Sequence, residues 1–195
     1  MGDLELLAWR REVADLYAAV RALPPAPGHA LWSTGRSRLL ATSPQSPLAA
    51  GDPRRTTGLP VATYDPAWRV VVPLSPTTAT TMTLPAGADG QVVLDRVGVL
   101  RTPWGDLDAW WLRGYAGGLF VPVRDASAGS SSYGGGRYLL DTVKGADLGH
   151  DGAGVVVDLN FLYHPSCAYS PAWTCPLAPA GNVLPVHVPV GETLS

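Results

Sequence analysis

Charge is scarce in this sequence. Only 15% of its 195 residues are Asp, Glu, Lys or Arg, well under the quarter usual for soluble domains. The balance is 14 Lys+Arg against 16 Asp+Glu, a formal net charge of -2. A chain with no basic surplus cannot neutralise a row of phosphates, so nonspecific nucleic-acid binding is excluded as a role. With no charged tail, a disordered acidic or basic protein is excluded too. Long apolar runs are also missing, and Arg10, Arg11, Glu12 and Asp15 interrupt the apolar residues before Leu23. Neither a membrane span nor the apolar core of a leader peptide is therefore expected, and the expected compartment is the cytoplasm. Cysteine is confined to Cys167 and Cys175, which that compartment would keep reduced. Lysine is confined to Lys144 and glutamate to three positions, while Ala, Gly, Pro, Val and Leu dominate. That bias reads as the imprint of a GC-rich bacterial genome and carries no chemistry.

What is present is core and punctuation. Apolar residues make up 46%, and Gly 22 with Pro 19 exceed a fifth of the chain. The composition predicts one domain over residues 1–195, built of short strands joined by irregular loops. Residues 4–22 read as the one helix: Leu6, Trp9, Val13, Leu16, Tyr17 and Val20 recur at helical spacing, Asp3 serves as N-cap, and Pro24 and Pro25 stop it. Across 24–66 eight prolines argue against long regular elements, although Leu31, Trp32, Leu39, Leu40 and Leu48 suggest a segment that packs down. Strand signals follow at 68–74, 77–84, 91–101, 107–113, 119–123, 137–141, 155–160 and 184–190, with turns at Pro85–Gly90 and Thr102–Asp106. The connections are too short for parallel crossovers. The expected fold is mainly β, an antiparallel sandwich or partly open barrel with one N-terminal helix.

Familiar reaction signatures are absent. There is no phosphate-binding P-loop, no G-x-S-x-G elbow and no H-E-x-x-H, and the four histidines are scattered. His164 with the two cysteines makes a poor metal set, because the cysteine spacing is not that of a zinc knuckle. Neither a metal nor an organic cofactor is expected.

Polar residues with uncommon neighbours concentrate after residue 119. A strand ends in Arg124-Asp125, a serine-rich loop follows, and Tyr133-Gly134-Gly135-Gly136-Arg137 re-enters a strand. The glycines would let backbone approach a ligand or form an anion-binding nest, and Arg137 would hold a carboxylate or phosphate in a bidentate fork. The competing reading is a wide bulge tied to Asp125 by a structural ion pair. Strand alternation puts Asp158 and Asn160 on one face, where they would position a water or hydroxyl, or satisfy backbone of the next loop. That loop, 161–184, sets Tyr163, Tyr169 and Trp173 among prolines and holds Cys167 and Cys175. Its length favours a functional role or a lid. The cysteines stand as packed thiols, a redox-sensitive pair or a nucleophile.

These residues resemble the bacterial domain-of-unknown-function family 1684. The likeness is carried by Arg124-Asp125-Ala126, Tyr133 through Leu139, Val157-Asp158-Leu159-Asn160, Tyr163, Cys167-Ala168-Tyr169, Cys175-Pro176-Leu177, Asn182 through Val186 and Gly191-Glu192. Ser46-Pro47-Leu48, Gly58-Leu59 and Asp65 through Val70 extend it upstream. The resemblance implies no activity. His164 stands where the family pattern suggests Asn, and Ala128 with Ser130, Ser131 and Ser132 replaces a more usual Ser-Gly followed by an acid and Thr, which points to a different ligand.

Three functional readings stand. In the first, a pocket for a small anionic molecule is lined by Arg124, Arg137, the glycines Gly134, Gly135 and Gly136, Asn160, Tyr163 and Cys167. Tyr169 and Trp173 form its roof, and Asp125, Asp158 and Tyr133 do acid/base chemistry (hydrolysis, elimination or cyclisation). The second is a carrier or sensor using the same pocket without catalysis. In the third, these elements only tie loops together. No nucleic-acid or membrane partner is expected, and a homodimer stays open.

Overall fold

A computed structural model describes residues 2–85, 90–115 and 117–194. Two helices lead the chain. Helix α1 spans Asp3–Arg21, with Gly2 rather than Asp3 at its N-cap, and Tyr17 and Val20 are the buried end of its stripe. Helix α2, Pro25–Thr42, corrects the expectation that prolines keep this region irregular. Pro25 and Pro27 fall in the first turn, where the missing N–H has no intrahelical acceptor to lose. The next proline, Pro44, lies beyond the helix end. The helices pack closely because α2 presents Gly35 to α1: a Cβ there would stand 2.5 Å from Leu16 Cδ1.

Among the described residues eight strands form one antiparallel sheet coiled into a half-barrel, confirming the barrel-like class. They are β1 (Arg69–Ser75), β2 (Thr81–Pro85), β3 (Gln91–Thr102), β4 (Gly105–Leu112), β5 (Gly118–Val123), β6 (Arg137–Asp141), β7 (His150–Asp151) and β8 (Gly154–Asp158). Their order is β6-β5-β4-β3-β1-β8-β7, with β2 also on β3. The long β3 makes the bend. Its first half pairs with β2, from Gln91↔Pro85 to Asp95↔Thr81, and its second half pairs with β1 at Val99 and Leu100. At the switch the register against β4 slips between Arg96 and Gly98. Gly98 gives β1 room to cross, since a Cβ there would meet Ser75 O at 2.9 Å. The β3–β4 hairpin has the expected tight turn, with Thr102 paired to Gly105. The expected turn at Pro85–Gly90 lies largely outside the described residues.

Alternation along the strands sorts side chains into two cores. Leu100, Leu107, Val121, Val123, Leu139 and Val157 line one face of the sheet with Leu184, Val188 and Val190. Leu94, Trp110, Phe120 and Tyr138 point the other way, to Tyr17, Val20 and Trp32 of the two helices. Residues 184–190, expected as a last strand, are not one. Leu184, Val188 and Val190 are buried and His187 is exposed, the same alternation a strand would show. The segment's backbone, however, is tied down by side chains.

Candidate functional site

Those side chains are Asp125 and Arg137. Arg137 opens β6 and is 1% exposed. Its Nη1 donates to the carbonyls of Val190 (2.6 Å) and Glu192 (3.0 Å), and its Nη2 to the Val188 carbonyl (3.2 Å) and Asp125 Oδ1 (3.0 Å). Asp125 also accepts from the Ser127 N–H and hydroxyl and from the Val188 N–H. The guanidinium thus does for residues 188–192 what a neighbouring strand would do. Desolvation lowers the Arg137 pKa, and the Asp125 carboxylate opposes that shift. Nε of Arg137 is the only buried side-chain nitrogen or oxygen without a partner among the described residues.

The glycines before Arg137 form a tight turn, closed by the Gly136 N–H donating to the Tyr133 carbonyl at 2.9 Å. Gly136 has φ +90°, and a Cβ there would stand 2.6 Å from the Val123 carbonyl oxygen. At Gly135 a Cβ would meet the Tyr133 ring at 2.5 Å. Arg124 is exposed and donates to the Gly134 carbonyl.

Asp158 and Asn160 do lie side by side, but in a second cluster with other partners. Asp158 ends β8 and its Oδ1 accepts from the Asn160 N–H and side-chain amide, capping the 3-10 turn Leu159–Phe161. The Asn160 side-chain amide grips both backbone groups of Asp65, the Asn160 backbone carbonyl meets His29 Nε2 at 3.0 Å, and the Tyr64 hydroxyl reaches Asp158. Burial raises the Asp158 pKa. The expectation that Arg137, Asp125, Asp158 and Asn160 share one hollow is therefore corrected. The first pair anchors the chain after β8, and the second anchors the segment before β1.

Where charge gathers beside open space, the central residue is Glu192. Gly191, at φ +82°, turns the chain so that Glu192 points inward, where it is 0% exposed. Its carboxylate accepts from the His164 N–H (2.5 Å), the Tyr169 hydroxyl (2.6 Å), and Arg36 Nε (3.3 Å) and Nη2 (3.2 Å). Desolvation works against the charge on Glu192, but Arg36 and these donors outweigh it and its pKa is lowered. Arg36, from α2, lies 4.6 Å over the ring of Tyr163. That ring is buried in the second core, and Tyr163 bridges Tyr138 through backbone. Burial lowers the His164 pKa to about 4, so the imidazole is neutral, and its Nε2 faces the Tyr133 N–H at 3.2 Å. A hollow of about 30 Å³ borders this cluster, between Arg54, Leu59, His164, Tyr169 and Glu192.

On its other side Tyr169 opens onto a groove of about 370 Å³, shared with Trp173, Pro171 and the facing segment Pro44–Ala49. Tyr169 and Trp173 thus wall a surface groove and are not a roof over Arg137. Arg54 sits 5.1 Å above the Tyr169 ring, held by Asp52 through Nε (2.9 Å) and Nη2 (2.6 Å). Sequence reasoning did not single out Arg36, Arg54 or Glu192. Glu192 carried a usable signal, as one of three glutamates and next to a glycine in the family string. Arg36 carried none once its segment was read as irregular.

Fold and site together define a helix-flanked half-barrel whose buried ion pairs hold irregular segments against the sheet. The chain belongs to DUF1684, a family described as proteins of unknown function, which it matches over residues 55–193. The upstream Ser46-Pro47-Leu48 likeness falls outside that span. Among solved structures it is similar to an uncharacterized protein of Haloarcula marismortui determined by solution NMR. The two are 29% identical with a TM-score of 0.58, over 83% of this chain and 90% of that one. Comparison with curated proteins finds no match.

Proposed function

We propose that this protein binds a small planar organic molecule, without transforming it, in the groove between Pro44–Ala49 and Tyr169–Trp173. The carrying observation is the groove itself, whose volume of about 370 Å³ lies in the range of small-molecule sites. Tyr169 and Trp173 put two aromatic rings in its wall, and among the described residues its lining carries no charged side chain. Tyr169 is well preorganised for the task, its hydroxyl being held by Glu192 and Arg36. Catalysis by Asp125 with Arg137 finds no support, since both Asp125 oxygens and both Arg137 Nη atoms are already hydrogen-bonded inside the protein.

A second reading keeps acid/base chemistry and moves it to Tyr169, Glu192 and His164. One observation favours it: a phenol, a carboxylate and an imidazole border one hollow. At about 30 Å³ that hollow has room for a water, which makes binding in the larger groove the stronger reading.

The test is thermal unfolding against planar aromatic compounds, neutral and anionic, paired with analysis of each compound afterwards. Binding raises the wild-type Tm, leaves the compound unchanged, and is lost in Trp173→Ala. A panel that moves nothing, or a shift retained in Trp173→Ala, refutes the groove. Consumption of a compound favours the second reading.

A further inference from the structure

The loop that walls the groove also brings two thiols together. A 3-10 turn at Ser166–Ala168 starts it, and a turn closed by the Trp173 N–H on the Ser170 carbonyl folds it back. Cys175 thereby returns to Cys167, eight positions earlier, and its sulfur accepts from the Cys167 N–H at 3.4 Å. That nitrogen is two bonds from the Cys167 Cβ, and the two thiols lie within hydrogen-bonding reach of each other. Both cysteines are free and partly exposed. The backbone hydrogen bonds of residues 166–173 are local, running to residues three or four positions earlier. The loop is fastened to the body through side chains: Tyr169 to Glu192, and the Tyr138 hydroxyl to the Pro176 carbonyl at 2.7 Å.

The two sulfurs differ in character. Hydrogen bonding from the Cys167 thiol and N–H, with the Lys144 ammonium nearby, favours the thiolate at Cys175 and lowers its pKa. Cys167, as donor to that sulfur and partly desolvated, has its pKa raised, with Tyr133 beside it.

We infer that Cys167 and Cys175 form a reversible dithiol–disulfide pair, oxidised by low-molecular-weight disulfides, and that its closure cinches the loop bearing Tyr169 and Trp173. Cys175 is the attacking sulfur. Its thiolate displaces one half of the external disulfide, which leaves as a thiolate and takes a proton from solvent, so that Cys175 becomes a mixed disulfide. Cys167 then loses its proton to solvent and attacks the Cys175 sulfur. The second half leaves as a thiol, and the internal S–S bond is formed. Two protein thiols are oxidised to one disulfide while the external disulfide is reduced to two thiols.

The test incubates the full chain with mixtures of glutathione and glutathione disulfide, traps free thiols by alkylation and reads intact mass. Wild type loses both alkylatable thiols in one step, keeps the mass of a single chain, maps a Cys167–Cys175 link and recovers both thiols in dithiothreitol. Under the same conditions Cys167→Ser accumulates glutathione on Cys175, while Cys175→Ser is modified about tenfold more slowly. Persistent mixed disulfides on wild type, covalent dimers, or thiols that stay alkylatable in excess glutathione disulfide each overturn the inference. The wild-type readings need no variant to fold and no groove ligand, so this inference and the groove reading fail separately.

Discussion

His164 should make the protein acid-sensitive in a defined window. Its imidazole is 4% exposed, and burial lowers its pKa from 6.5 to about 4. Between those values the unfolded chain takes up a proton that the native protein refuses. The contribution to stability is therefore fully present above about pH 6.5 and is lost as pH falls toward 4. From pH 7.5 to pH 5 the loss is about 2 kcal/mol, rising to about 3 kcal/mol by pH 4. Glu192 acts lower in the scale. With its pKa lowered, its contribution is present above the unfolded carboxylate value and disappears only as pH falls through the native one. At pH 5 the two effects are therefore largely separated. His164→Gln keeps an acceptor for the Tyr133 N–H and removes the titration. Urea unfolding followed by tryptophan fluorescence at pH 7.5 and pH 5 should show wild type losing about 2 kcal/mol more than the variant. If the two proteins lose stability in parallel, the imidazole is not held neutral in the native state and the reasoning is wrong.

Other positions separate structural ties from binding surface. Arg137→Ala strands the Asp125 carboxylate and frees three carbonyls, and should cost about 3–5 kcal/mol in denaturant unfolding. A cost under 1 kcal/mol would deny that the pair anchors residues 188–192. Glu192→Gln leaves Arg36 buried without its counter-charge and should destabilise by a similar 3–5 kcal/mol, read in the same assay. The glycine turn offers an internal control. Gly136→Ala forces a left-handed φ on a side chain facing the Val123 carbonyl and should cost about 1–3 kcal/mol. Gly134→Ala, whose nearest neighbour would lie 3.8 Å away, should stay within about 0.5 kcal/mol of wild type. Equal effects at the two glycines would show that the turn geometry is misread.

Much of the fold was legible because it rests on local pattern. The first helix, the β3–β4 hairpin and seven of the eight described strands follow apolar periodicity and turn chemistry that operate over a few residues. The departures have physical reasons. Prolines block a helix only in its interior, so a count of prolines over 24–66 missed the long clear stretch between Pro27 and Pro44. Alternating burial at 184–190 is common to any extended segment lying on a core, and periodicity cannot tell whether a strand or a guanidinium satisfies its backbone.

The class of fold, the family and the small set of uncommon polar residues could be read from the amino-acid order, since composition, spacing and strand alternation are properties of the chain in one dimension. Which of those residues meet was decided by tertiary structure alone. Arg36 and Glu192 are 156 positions apart, and Asn160 and Asp65 are 95 apart. Such pairs form only when the coiled sheet and the helices bring distant backbone together, and a buried charge then takes whichever partner the packing supplies. The same packing occupied both Asp125 oxygens and both Arg137 Nη atoms and left open space beside Tyr169 and Trp173 instead.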